Sequence, residues 1–262
     1  MGVVISLAWR EYTRFIRQPH RVIGSIGQPL LFWLFLGSGF TGSFRPPGME
    51  GVTYLEFFYP GVLMMMLLFA SIFSSITIIE DRDQGFLQGV LVAPVPRMAI
   101  VLGKVAGGTA IAMLQSLLFL LIAPFVGISL APASLAMVIP ILILTSVGFT
   151  SLGFLLAWGM RSTAGFHAVM MIFLMPLWML SGALFPITHV PGWMHWIMLA
   201  NPVSHALTLL RLPFHAMPGQ VVGDPEFAVS LAVVLAWALG CLYLSMLRVR
   251  RVERGVPVSS SN

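Results

Sequence analysis

Four arginines, Arg10, Arg14, Arg17 and Arg21, stand at spacings of 4, 3 and 4 and so share one face of a helix. Ile5, Trp9, Tyr12 and Ile16 form a stripe on roughly the opposite face. A helix of this kind lies flat in a bilayer interface, with its apolar face in lipid and its cations towards anionic headgroups. The same cationic face can also dock a protein partner. A second charged group, Glu80, Asp81, Arg82 and Asp83, leads through Gly85 into a run where Phe86, Leu87, Val90 and Leu91 recur at helical spacing. Pro94 and Pro96 end that run, and the acids ahead of it suit a helix N-terminus. The segment either rests on lipid as an amphipathic loop or inserts as a knob into a partner's groove. Acids on an anionic leaflet weigh against lipid docking alone.

Catalytic and cofactor motifs are missing. The chain's one Gly-Lys pair, Gly103-Lys104, is followed by Val105 and preceded by no phosphate-cradling loop, so no P-loop nucleotide site is expected. No H-E-x-x-H occurs. His189, His195, His205 and His215 share one segment, but no spacing puts two on one helical turn with a carboxylate. The expectation is no metal, no bound cofactor and no catalytic residue.

The elements that position these groups are membrane spans. Of 262 residues, 58% are hydrophobic and 9% charged, with mean hydropathy +0.94, whereas about 25% charged residues is usual for a soluble domain. Six stretches reach the ~20 apolar residues a spanning helix needs: Val22–Phe44, Phe58–Ile79, about Gly107–Ile128, about Leu135–Trp158, about Ala164–Leu184 with a kink at Pro176, and Phe227–Leu247. Pro124, Gly127 and Pro132 mark the hairpin dividing the third from the fourth. A single membrane domain over 1–262 follows, with an interfacial helix at 1–21, a bundle at 22–247 and a tail at 248–262. The long amphipathic lead and the lack of an A-x-A site argue against a signal peptide.

All Lys and Arg residues except Arg45 and Arg211 fall on one side of these spans, which places both termini in the cytoplasm. The net charge of +5 reflects this bias and anionic headgroups, so no nucleic-acid partner is inferred. Trp33, Trp158, Trp178, Trp193 and Trp196 fall near span ends, where tryptophan anchors in the interface. Gly103 and Gly107, and Ser146 and Thr150, are small-residue pairs that permit close helix packing. Ionisable residues such as Glu80, Arg161 and His167 fall only at span edges, which argues against a proton-coupled carrier or a charged-ring channel. The proline-rich segment Phe185–Glu226 reads as short helices dipping back from outside, or as a structured external loop.

Four stretches carry a resemblance: Arg17-Gln18-Pro19 with Gln28-Pro29-Leu30-Leu31; Glu80 through Gly85, Leu91-Val92-Ala93-Pro94 and Gly103-Lys104; Ser181-Gly182-Ala183-Leu184-Phe185-Pro186 with Pro191-Gly192-Trp193; and Asn201-Pro202 with Arg211. In this order, the chain resembles the membrane subunit of ABC-2 type transporters. That resemblance implies an all-α, six-span permease with an amphipathic interfacial helix, a cytoplasmic coupling helix and external re-entrant helices. It implies a paired permease, two separate ATPase subunits that hold ATP and Mg2+, and export of a drug-like or lipid-like substrate across the cell's inner membrane. Carried over by position, Arg14, Arg17, Glu80, Asp81, Arg82, Gly85 and Phe86 would contact the ATPase. Phe69, Phe73, Met171 and Met175 would line the pathway, or else pack the core or face lipid. Ser181, Gly182, Pro186 and Pro191 would belong to an external gate. A secondary carrier, a channel and a lipid- or haem-handling membrane protein are the rival readings.

Overall fold

The computed structural model describes residues 2–41, 52–128, 130–187, 190–216 and 218–251. Arg45 and Arg254 of the charge count, and most of the tail, lie outside them. The described residues form helices α1 (Gly2–Ile16), α2 (Pro19–Thr41), α3 (Tyr54–Ser74), α4 (Thr77–Asp83), α5 (Phe86–Val92), α6 (Arg97–Leu120), α7 (Pro132–Gly159), α8 (Thr163–Trp178), α9 (Gly192–Ala200), α10 (Pro202–His215), α11 (Pro218–Gly223) and α12 (Pro225–Arg251). Six segments are long and apolar enough to cross a bilayer, with α3 and α4 forming one of them. The chain is an all-α, multi-pass membrane protein.

Local chemistry sets several helix starts. Thr53 Oγ1 accepts from the Glu56 amide at 3.3 Å while Glu56 Oε2 accepts from the Thr53 amide at 3.2 Å, a reciprocal cap on α3. Ser162 Oγ accepts from the Gly165 amide at 3.1 Å to start α8. Pro19, Pro132 and Pro202 open α2, α7 and α10, where a missing N–H costs nothing.

The second span is the axis of the bundle. In its most apolar 18-residue stretch 72% of the residues are buried, against 17% in the first span and 22% in the fifth and sixth. In lipid no hydrophobic force joins helices, so close packing and hydrogen bonds must do so. Three buried aromatics make such bonds to main-chain carbonyls. Trp33 Nε1 donates to Leu55 O at 3.1 Å, Tyr59 OH to Phe119 O at 2.6 Å, and Trp178 Nε1 to Gly61 O at 2.7 Å. Trp33 and Trp178 are therefore core anchors, and Trp158 is buried as well, so none of the three is the interfacial residue expected. Trp193 and Trp196 are exposed as expected.

Three elements depart from the sequence expectation. The third span begins at Arg97, well before Gly107, so Lys104 lies inside a helix rather than ahead of one. The amphipathic helix stops at Ile16, and Arg17 and Gln18 turn the chain into α2. Its packed face is Leu7, Glu11 and Phe15, while Ile5, Trp9 and Ile16 are exposed. Finally, Glu80, Asp81 and Asp83 lie in the C-terminal half of α4, not at the start of the next helix. Gly85, with φ 76°, turns the chain between α4 and α5, a conformation glycine adopts without a Cβ penalty.

The Gly103/Gly107 pair is where α1 crosses α6. A Cβ at Gly103 would stand 2.7 Å from Leu7 Cβ, and one at Gly107 would stand 2.7 Å from Glu11 Cβ. Gly108 makes the next close approach, to Ser74 and to Thr150 of the small pair in the fourth span. Gly103→Val and Gly107→Val should each destabilise the purified protein by about 1–3 kcal/mol, read as earlier thermal unfolding in detergent. The same change at exposed Gly89, with nothing near its side-chain position, should cost less.

Candidate functional site

Six charged side chains converge where α1, α4 and α6 meet. Asp81 is the centre and is fully buried. Arg10 grips it with two bonds, Nη2 to Oδ1 at 2.8 Å and Nη1 to Oδ2 at 3.0 Å. Arg14 Nη1 reaches Oδ1 at 3.2 Å, and Lys104 Nζ also bonds Asp81. Lys104 bonds Glu11 at 2.7 Å and Thr77 Oγ1 at 3.2 Å as well. Arg10 lies 3.1 Å from Glu11, and Arg14 pairs with Glu80 at 2.8 Å. Three cations thus balance three carboxylates. The hydrogen bond to Asp81 is the main reason the Arg10 guanidinium binds its proton more tightly than usual.

The neighbouring residues fasten this cluster to the rest of the fold. The Arg10 guanidinium sits 3.7 Å from the centre of the Phe86 ring, which ties α5 to α1. Arg82 points away and donates to Met160 O at 2.7 Å and Trp158 O at 2.8 Å, capping the end of α7. Arg17 and Gly85 are exposed, and Val92 is 87% exposed. Of the seven positions expected at a partner interface, Asp81 is therefore closed off, and Arg82 is committed to α7. Arg14 and Glu80 are partly open, and Arg17 and Gly85 face outward.

Directly against the cluster lies a cavity of about 240 Å3. Phe69, Phe73, Met171 and Met175 all line it, so the structure brings the four expected pathway residues together. Its walls come from α1, α2, α3, α4, α6 and α8, and Glu11, Arg14 and Thr77 belong to cavity and cluster alike. His167 stacks on Phe73 with ring centres 4.7 Å apart. Towards the opposite end, Met175 also borders a second, apolar cavity with Phe32, Leu36, Tyr54 and Trp178.

At that opposite end the fifth span breaks. After α8 the chain takes a wide turn over Met179–Ala183, with Gly182 at φ 87°. The freed carbonyls are collected by the segment that follows. Asn201 Nδ2 donates to Leu177 O at 2.6 Å and Leu180 O at 3.2 Å, while its Oδ1 caps α10 through the Val203 amide at 2.9 Å. Ser181 Oγ donates to Trp178 O at 2.6 Å. Arg211 donates to Gly182 O at 3.0 Å and lies over the Phe57 ring at 4.4 Å. Burial lowers its pKa to about 10, which leaves it cationic at neutral pH. Pro191 starts α9, and Pro186 is half-buried ahead of it. Of the histidines in this segment, His195 contacts Ile187 O at 3.3 Å, and His205 contacts Ser230 Oγ at 3.2 Å and Leu199 O at 3.0 Å. His189 lies outside the described residues.

The sequence profile of the ABC-2 type transporter family matches residues 3–215, which hold the cluster, both cavities and the broken span. The chain belongs to the ABC-2 type transporter family. It is 33% identical over 208 residues to ycf38 of Cyanophora paradoxa, named as a transport permease, covering 78% of this chain and 71% of that protein. It is 26% identical to the daunorubicin resistance ABC transporter permease protein DrrB1 of Streptomyces coeruleorubidus, covering 91% of this chain and 84% of that one. It is 27% identical to the inner membrane transport permease YadH of Escherichia coli K12, with coverage of 91% and 93%. The chain is a membrane transport permease.

For an ABC-2 permease, three residues of this cluster were not read as a unit from the sequence. The sequence pattern singles out no role for Glu11, places Arg10 on the cationic face of the amphipathic helix, and puts Lys104 at the end of the connection ahead of the third span. The available signal was that Lys104, the chain's sole lysine, stands inside an uncharged stretch and needs a carboxylate there. Removing the central charge should be severe. Asp81→Asn leaves Lys104 and Arg10 under-compensated and should cost about 3–5 kcal/mol. The half-open Glu80–Arg14 pair is worth about 0–1 kcal/mol, so Glu80→Gln should barely shift unfolding. Chemical denaturation of both variants in mixed micelles measures the contrast.

Proposed function

We propose that this permease is the membrane subunit of an ATP-driven exporter of hydrophobic or amphipathic molecules, drug-like or lipid-like. In this reading two copies pair, and two ATPase subunits holding ATP and Mg2+ dock on the cytoplasmic face. Both termini lie on that face of the inner membrane. The permease itself binds no cofactor. It supplies the pathway, and its partner supplies the energy.

One observation carries the reading: the ion cluster and the cavity share Glu11, Arg14 and Thr77. A push on α5 reaches α1 through Phe86 and Arg10, and α1 reaches α4 and α6 through Asp81 and Lys104. Those same helices wall the cavity, so force applied at the docking face changes the cavity's shape with no flexible joint between. Packed interfaces switch between discrete arrangements instead of bending continuously, which suits such transmission. Arg17, Gly85 and the outer face of α5 make the contact in this scheme. Asp81 and Arg82 act behind them as positioning residues. The drug-resistance designation of DrrB1 supports the substrate class.

Proteoliposomes containing the permease with its copurified ATPase, loaded with daunorubicin as probe, test the proposal. Phe86→Ala and Glu80→Arg should lower ATP-stimulated transport about tenfold, a typical coupling loss, without lowering the amount of permease in the membrane. Undiminished transport by the permease alone, with neither ATP nor ATPase, would overturn the scheme in favour of a carrier or channel.

A further inference from the structure

Two helices face each other across the first cavity in a fixed register. At one end Trp178 of α8 donates to Gly61 O of α3, and at the other His167 of α8 stacks on Phe73 of α3, so the two run antiparallel. Twelve steps along α3 and eleven along α8 separate these contacts, about 18 Å and about 17 Å of helix. Gly61, Met65, Phe69 and Phe73 recur every fourth residue on α3, as do His167, Met171 and Met175 on α8. All of them except Gly61 line the cavity. The register sets Phe69 level with Met171, and Met65 level with Met175. A third helix reaches that last level. Tyr59 OH donates to Phe119 O, and Gly108 packs against Ser74, so α3 and α6 are antiparallel too. Between those contacts Gln115 falls beside Met65 and Met66, and it lines the cavity with them. Gln115 is 3% exposed, and its carboxamide has no hydrogen-bond partner among the described residues. Close packing accounts for methionines in a membrane bundle. It does not account for a buried amide left unmet beside them, which costs free energy unless a ligand engages it.

We propose that Met65, Met66 and Met175 bind a soft monovalent metal ion, Cu(I) or Ag(I), with the Gln115 carbonyl oxygen as a weaker fourth ligand. Thioether sulfur is neutral and polarisable and selects soft ions, whereas Mg2+ and Ca2+ require several oxygens. No group of three His, Cys, Asp or Glu side chains among the described residues could hold a metal, so an ion in this bundle depends on thioethers. The cations of the ion cluster do not oppose it. Thr77, which Lys104 contacts, is twelve residues beyond Met65, roughly 18 Å along the span. The site goes beyond the exporter reading and does not rest on it, because binding requires neither ATP nor a partner.

The test is equilibrium dialysis of silver nitrate against the full-length permease in phosphatidylcholine nanodiscs, in chloride-free buffer. Ag(I) serves as a probe for this class of ion that undergoes no redox change. Saturable binding of one ion per chain is expected, undisturbed by a large excess of Mg2+. Met65→Leu and Met175→Leu conserve volume and so preserve the fold. Each should weaken binding about tenfold, the loss of one ligand, and Gln115→Leu should weaken it less. X-ray absorption at the silver edge should show sulfur neighbours that diminish in the Met65→Leu/Met175→Leu protein. Cys241→Ser removes the chain's one thiol and should bind silver as the wild type does. Binding that does not saturate, wild-type affinity in the double methionine variant, or loss of binding in Cys241→Ser overturns the site. In that event, ATP-stimulated export of daunorubicin would leave the exporter reading standing without it.

Discussion

A carboxylate with no access to water cannot stand alone, and Asp81 imposes that constraint on one whole end of this permease. Its charge requires cations at hydrogen-bond distance, and they come from two helices remote in sequence, Arg10 and Arg14 from α1 and Lys104 from α6. Lys104 in turn needs a second anion, and Glu11 meets it. The crossing that brings Glu11 this close is possible only because Gly103 and Gly107 carry no side chains. Charge and shape are thus mutually dependent. Without the glycines α1 could not reach the carboxylate, and without the carboxylate α1 would have little reason to leave the lipid surface. Such an ion network adds little net stability over an apolar core of the same shape, but it fixes one arrangement of the helices.

The opposite end solves a different problem with the same economy. A helix that breaks in a membrane leaves carbonyls no water can satisfy. The fifth span breaks after Trp178, and the segment that follows returns to supply donors from Asn201, Ser204 and Arg211. Ser181, Gly182, Asn201 and Arg211 are thereby tied together by hydrogen bonds to main-chain carbonyls. Between the two ends both cavities border Met175. One end is locked by charge, the other by main-chain hydrogen bonds, and the space between is soft.

Much of this was legible in the residues. Six apolar stretches of spanning length gave the number of passes, because hydrocarbon thickness sets a minimum that few other segments meet. The short helix after Gly85 also forms where expected, and Phe69, Phe73, Met171 and Met175 line one cavity. Ile5, Trp9 and Ile16 are exposed, as an apolar face turned to lipid should be, while Leu7, Glu11 and Phe15 form the packed face of α1 that no apolar stripe announced. Trp33 and Trp178 were expected to anchor in the interface, yet each indole found a carbonyl inside the bundle. Acids before an apolar run suited a helix start, but Gly85 had already ended the helix that carries them.

The sequence by itself determined the material of this protein: an oily chain crossing the bilayer six times, with most of its charge gathered towards the span ends and connections. It could do so because transfer of a residue between water and hydrocarbon depends on that residue and its close neighbours alone. Which charges meet was a separate matter. Glu11 and Lys104 are joined only by the angle at which α1 crosses α6, and Arg211 reaches Gly182 only because the fifth span unwinds. Pairing energy falls steeply with distance and burial, and both are properties of the packed bundle. Tertiary structure alone therefore decided that Asp81 is an internal tie and not an exposed contact.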